Sequence, residues 1–326
     1  MASPIIETYQ TYDSIGLRED LTDVIYDISP TDTPFMSGSA RGSAKATLHE
    51  WQTDALEAVD GANAHIEGDD IDTFPAVVPT VRVANFLQIS RKLVLISGTL
   101  DVVDKAGRAT EMAYQLAKRS KELKRDMETI ATSNQGGDAG SSTTAREMAG
   151  LIAWIKTNTN FDATTGADPV YTSGVPAAGR TDSSAVRDIT EVILKDVLQQ
   201  VWDSGGDLVN LMLGPVNKQN MSAFAGIATK TFNRDAEVPT AVIAAADVYV
   251  SDFGVLSVFA NRFQRERDGI VWDPAFTSFN FLRPFRSVPL AKTGDAEKRM
   301  LLVEWTLKVR NEAALGILAD LDNQVL

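Results

Sequence analysis

The chain of 326 residues has no cysteine. That one absence removes disulfides, thiolate metal sites and cysteine nucleophiles together. Histidine is almost missing too: only His49 and His65 occur, with no second histidine near either. A histidine-based metal site needs several ligands converging, so His49 beside Glu50 reads as a surface pair. No apolar run approaches the roughly 20 residues that span a bilayer, and no membrane partner is expected. Met1 to Glu7 has neither a basic n-region nor an apolar h-region, so no secretion signal is expected. Bases are in deficit, 31 Lys and Arg against 44 Asp and Glu, for a net charge of -13. Such a surface repels phosphate. It suits simple solubility, or facing nucleic acid without adhering to it.

Catalytic patterns are lacking as well. Glu67-Gly68-Asp69-Asp70-Ile71-Asp72 has the composition of a calcium loop but not its spacing. Gly136-Gly137-Asp138-Ala139-Gly140-Ser141-Ser142 is glycine-rich, yet it follows a helix and carries no lysine before Ser or Thr, unlike a phosphate-binding loop. Neither a G-x-S-x-G elbow nor a G-x-G-x-x-G fingerprint is present. Asn220-Met221-Ser222 matches a glycosylation sequon by chance. The tryptophans Trp51, Trp154, Trp202, Trp272 and Trp305 stand apart in apolar contexts and read as core. No catalytic, cofactor-binding or metal-binding residue is assigned, and no enzymatic activity is expected.

What is present begins with Asp27-Ile28-Ser29-Pro30-Thr31-Asp32-Thr33-Pro34-Phe35-Met36. Proline donates no backbone hydrogen bond and pushes the residue before it to extended geometry. Residues 1–45 therefore read as an arm that must lie on something else. Leu17, Leu21, Val24, Ile25 and Ile28 place a short amphipathic helix inside it, and Gly38 to Ala46 is small and flexible. Residues 46–90 are rich in acids and contain one arginine, Arg82. They read as a long two-stranded excursion whose tip lies near Asp60 to Asp70. Met112, Leu116, Leu123, Met127 and Ile130 form one stripe of a charged helix over 108–133, which stops before Asn134-Gln135-Gly136-Gly137. Residues 134–182 form a loop-rich insertion.

A second helix is expected from about Ser184 to Asp203, with Ile189, Val192, Ile193, Val197, Val201 and Trp202 inward. A buried strand follows at Leu208 to Leu213, then a helix near Lys218 to Phe224 and a hairpin over Val248 to Phe263 turning near Gly254. Leu301, Val303, Trp305, Leu307 and Val309 alternate with Leu302, Glu304, Thr306, Lys308 and Arg310, the pattern of a half-buried antiparallel strand. A last strand is expected at Ala314 to Leu318. The fold class is α+β.

Several segments carry a family resemblance: Ser29-Pro30-Thr31-Asp32-Thr33-Pro34-Phe35, His49-Glu50-Trp51-Gln52-Thr53-Asp54, Glu122-Leu123-Lys124-Arg125-Asp126, Leu282-Arg283-Pro284-Phe285, Lys292 to Arg299, and Trp305-Thr306-Leu307-Lys308-Val309-Arg310-Asn311-Glu312. In this order they resemble the major capsid proteins of tailed bacteriophages, the Hong Kong-type coat fold. Residues 134–182 are the least typical part. The resemblance implies an N-terminal arm over 1–45 and an extended loop over 46–90 that reaches across a neighbour's spine helix. It implies a peripheral domain from 91–144 and 291–326, with its spine helix at 108–133, and an axial domain over 145–290. It also implies a virion shell assembled in the host cytoplasm from hexamers and pentamers of the chain. The implied partners are scaffolding, portal and decoration proteins and packaged double-stranded DNA, bound without sequence specificity. A bacterial nanocompartment shell of the same fold is the alternative within the class; an enzyme with an unrecognised site is the alternative outside it.

Overall fold

The computed structural model describes residues 29–68, 74, 76–224 and 247–324. The amphipathic helix expected around Leu17 to Ile28 lies outside these. A four-stranded sheet and a six-stranded sheet organise the rest.

In the first sheet, β13 (Ala296–Val309) runs antiparallel to both β12 (Thr277–Pro289) and β4 (Gln88–Ser97). The strand is not half-buried as its alternation suggests. Val303, Trp305, Leu307 and Val309 are buried on one face, and Leu302, Glu304 and Thr306 on the other. Glu304 is tolerated there because Arg146 Nη2 and Arg283 Nε each stand 2.6 Å from its carboxylate. The register of β12 slips around Arg283 and Arg286, where Pro284 supplies no ladder donor. The spine helix α3 (Glu111–Ala131) packs across this sheet. Its 21 residues give a length of roughly 32 Å at 1.5 Å per residue. Met112, Leu123 and Met127 are buried as expected, and Glu111 stands in the first turn, where the helix dipole favours an anion. The short helix α2 (Gly98–Val102), capped by Ser97, joins β4 to α3.

The segment from Pro34 to Ser43, read as part of an arm that must lie on something else, lies on its own subunit. Helix α1 (Pro34–Gly38) buries Phe35 and Met36 on its own subunit. Proline at its first position is pre-set for the helix and lacks a donor that would be orphaned anyway. Phe35 meets Trp272 and Phe279 edge-on, with ring centroids at 5.0 and 5.5 Å. β1 (Ala40–Ser43) then adds parallel to β12. The stretch read as small and flexible is thus a paired edge strand. Its small residues permit close approach: a Cβ at Gly38 would meet the Trp272 ring at 2.8 Å.

The second sheet has β11 (Gly269–Trp272) and β8 (Asn210–Leu213) at its centre, with β14 (Gly316–Leu318) and β5 (Thr159–Asn160) to one side. The hairpin of β9 (Val248–Ser251) and β10 (Gly254–Ala260) forms the other side and turns at Gly254 as expected. Helix α5 (Glu191–Asp203) covers one face and begins later than expected, at Thr190, whose side chain accepts the Ile193 N–H. Starting the helix there buries Leu194, Val197, Leu198 and Val201 and turns Val192 and Trp202 out, so both depart from the inward reading. Helix α6 (Pro215–Ser222) follows β8 and buries Asn220, where the chance sequon lies. Besides β5, the insertion contributes α4 (Leu151–Trp154) and the small hairpin of β6 (Tyr171–Thr172) and β7 (Val175–Pro176).

Candidate functional site

The most distinctive surface starts from the antiparallel pair β2 (Leu48–Thr53) and β3 (Val81–Phe86). Its root is bolted to the body. Asn85 is fully buried, donates through Nδ2 to the carbonyls of Ala149 at 3.1 Å and Leu307 at 2.7 Å, and accepts the Ala149 N–H at 2.8 Å. Trp51 lies 5.4 Å from Trp154, ring to ring. His49 is half-buried beside this root, with its Nε2 2.8 Å from Asn280 Nδ2. It is not the surface partner of Glu50, which pairs instead with Arg82. Burial, aided by Lys308, lowers its pKa and favours the neutral ring.

Beyond Thr53 and before Val81 the described residues form no strand, so the described pairing is six residues long on each side. Leu56, Val59 and Val77 are 99%, 98% and 93% exposed, and Ile66, Phe74 and Val78 are also bare. Asp54, Glu57, Asp60 and Glu67 are exposed among them. Apolar groups exposed together in this way mark a contact surface.

Faces complementary to such a loop are present. On α3, Arg119 is taken by Glu122 at 2.6 Å, and Arg125 lies over the Phe263 ring at 5.4 Å. Lys118, Lys121 and Lys124 are exposed and form no ion pair among the described residues. The face of β4 turned away from α3 bares Ile89, Leu93 and Leu95 beside Arg91. At the far end, Trp202 and Phe253 sit 5.1 Å apart with Val192 and Val255 exposed nearby.

The structure does not bring the titratable motifs of the sequence together. His65 lies in the exposed loop, and its Nε2 is 3.0 Å from Asn63 Oδ1. Gly136 and Gly137 serve close packing: a Cβ at Gly136 would meet the Ala178 backbone at 2.6 Å. No group of three His, Asp or Glu side chains fit to hold a metal occurs among the described residues. What sequence reading missed is a partly buried Arg–Asp network between the insertion and the second sheet. Arg265 forks onto Asp182 with both distances 2.8 Å, Arg267 meets Asp320 at 2.9 Å, and Arg180 pairs with Asp168. Asp320 also accepts the Ser183 N–H at 2.8 Å. These partners lie up to 137 residues apart, so no local spacing announces them.

Comparison with known proteins fits this picture of a body with bare contact surfaces. The SU10 major capsid protein family matches residues 5–322. The major capsid protein of Escherichia phage Phieco32 is 28% identical over 356 residues, covering 98% of this chain and 97% of that protein. Among solved structures, the capsid of a native GTA particle superposes with a TM-score of 0.62 at 10% identity, over 96% of this chain and 98% of that one. A chain of Microbacterium phage Oxtober96 gives 0.57 at 13% identity, over 93% and 96%. The SrpI encapsulin of Synechococcus elongatus gives 0.55 at 12% identity, over 96% and 99%. These likenesses establish the Hong Kong-type coat fold. With nearly its whole length matched by one family, the chain belongs to the SU10 major capsid protein family.

Proposed function

We propose that this phage major capsid protein closes, through hexamers and pentamers of itself, into an icosahedral shell around double-stranded DNA. One subunit type with repeated self-contacts suffices for such closure. The observation that carries the reading is the bared loop over residues 54–80, whose Leu56, Val59 and Val77 have no cover on their own subunit. In this reading the chain divides as the coat fold divides. Residues 1–45 are the arm, although Pro34 to Ser43 dock on their own body. Residues 46–90 are the extended loop, 91–144 and 291–326 the peripheral domain, and 145–290 the axial domain. The acidic loop lies across a neighbour's spine helix, toward Lys118, Lys121 and Lys124. Scaffolding, portal and decoration proteins are the further partners, packaging DNA meets the inner face without sequence recognition, and assembly takes place in the host cytoplasm. The shell has no enzymatic task.

The likeness to an encapsulin keeps one second reading, a nanocompartment that encloses protein. Electron microscopy of purified particles, with nuclease-protected nucleic acid assayed in them, tests both. Shells with protected DNA are expected from infected cells; shells holding only protein favour the nanocompartment.

A further inference from the structure

Glu128, near the end of α3, is fully buried and meets only donors. Its Oε1 accepts the Phe35 N–H and the Asn261 Nδ2, and its Oε2 accepts the Met36 N–H, all at 2.8 Å. The Asn261 carboxamide cannot be turned round, because its own oxygen accepts the Phe263 N–H at 2.9 Å. The neighbouring charges look elsewhere: Arg125 lies over the Phe263 ring, and Asp126 pairs with Lys92 at 2.6 Å. α1 brings no titratable group to the carboxylate, only the backbone of Phe35 and Met36. The stretch after β10 brings Asn261 alone. No lysine, arginine, histidine or second carboxylate acts on it; burial raises its pKa and the donors oppose the rise.

Two demands therefore collide at one residue. Three donors are met best by an anion, since protonation turns one acceptor site of the carboxyl into an O–H that has no acceptor among these partners and weakens the bond to the oxygen that carries it. Burial without a counter-charge favours the protonated form. The groups at stake are the two backbone N–H bonds that fasten the root of the N-terminal segment.

We infer that Glu128 is a proton-operated latch: ionised, it holds Phe35 and Met36 on the spine helix, and protonated, it releases one of those N–H groups and with it the anchorage of residues 33–38. Acidification thus loosens the take-off point of the chain that precedes Thr33. The inference rests on the subunit's own geometry and stands apart from the shell reading.

Hydrogen exchange of the full-length protein between pH 7 and pH 4, corrected for intrinsic rates, tests it. The segment over 33–38 should lose protection by about tenfold or more on acidification, the scale of one hydrogen bond to a charged group, while β13 stays protected. Glu128→Gln, which presents one donor and one acceptor at the same size, should leave 33–38 unprotected at pH 7 and insensitive to pH. Asn261→Ala removes one donor, so its release should move to higher pH; a purely structural role would lower protection at every pH without moving the midpoint. Unchanged protection of 33–38 down to pH 4, loss only together with β13, or an unmoved midpoint in Asn261→Ala overturns the latch. The last readout decides the matter even where Glu128→Gln does not fold.

Discussion

At the scale of residues, Asp268 is the carboxylate with most to lose from being charged. It is fully buried, and neither oxygen accepts a hydrogen bond within the described structure, although Arg265 Nε stands 3.0 Å from Oδ2. Burial, reinforced by Asp182 and opposed by Arg265, pushes its pKa up to about 6 from 3.8. The folded state then binds a proton that the unfolded state has released. Stability contributed by this group is present below about pH 4 and is lost as pH rises toward 6. Asp268→Asn should therefore raise the melting temperature at pH 8, by an amount on the order of 2 kcal/mol in stability, and change little at pH 4. Thermal unfolding across that range checks it; equal effects at both pH values would refute it. Arg265 is not stranded by the change, because Asp182 retains it. None of this was readable in the sequence, where Asp182, Arg265 and Asp268 sit in polar stretches with no periodicity. The buried tryptophans were readable, since Trp154, Trp272 and Trp305 stand in apolar runs, but Trp202 does not obey its context.

At the scale of elements, the spine helix and the late strands were legible because their apolar spacing matches the period of the structure they form. β1 was not: four exposed residues, three of them small, carry no pattern, and what makes them a strand is the free edge of β12 nearly 240 residues away. The excursion was legible as an element but not in extent, for the described residues of its outer part pair with no strand. Two predictions belong here. Between Lys45 and Lys92 there is no lysine, so the loop carries no amine to form an isopeptide bond with a neighbour, and arginine is no substitute nucleophile. Mature particles boiled in denaturant should run as one band near 35.3 kDa, and a ladder of oligomers would overturn this. Converting Asp54, Glu57, Asp60 and Glu67 to their amides should slow assembly and weaken its salt dependence while leaving the subunit's melting temperature unchanged. Each exposed pair contributes only about 0–1 kcal/mol, so register and rate should respond more than final stability. Light-scattering kinetics at two ionic strengths read this out, and an unaltered salt dependence would remove the loop acids from the interface.

At the scale of the whole molecule, the chain docks on its own subunit from Pro34 onward, earlier than residue 45, where the sequence reading ends the arm. Removing residues 1–28 should leave a folded subunit that no longer closes shells. Cutting through Phe35 should also destabilise the fold by about 3 kcal/mol, because that ring fills the space between Trp272 and Phe279. Chemical denaturation of the two truncations separates the effects, and equal stabilities would show that Phe35 is not core.

The central claim is that the bared loop and faces of this subunit are interfaces between its own copies. Electron microscopy of the purified full-length protein tests it most directly. Closed shells of uniform curvature, in which residues 54–80 of each subunit are covered by a neighbour, are the predicted result. A stable monomer in solution, with Leu56, Val59 and Val77 still exposed to water, would contradict it.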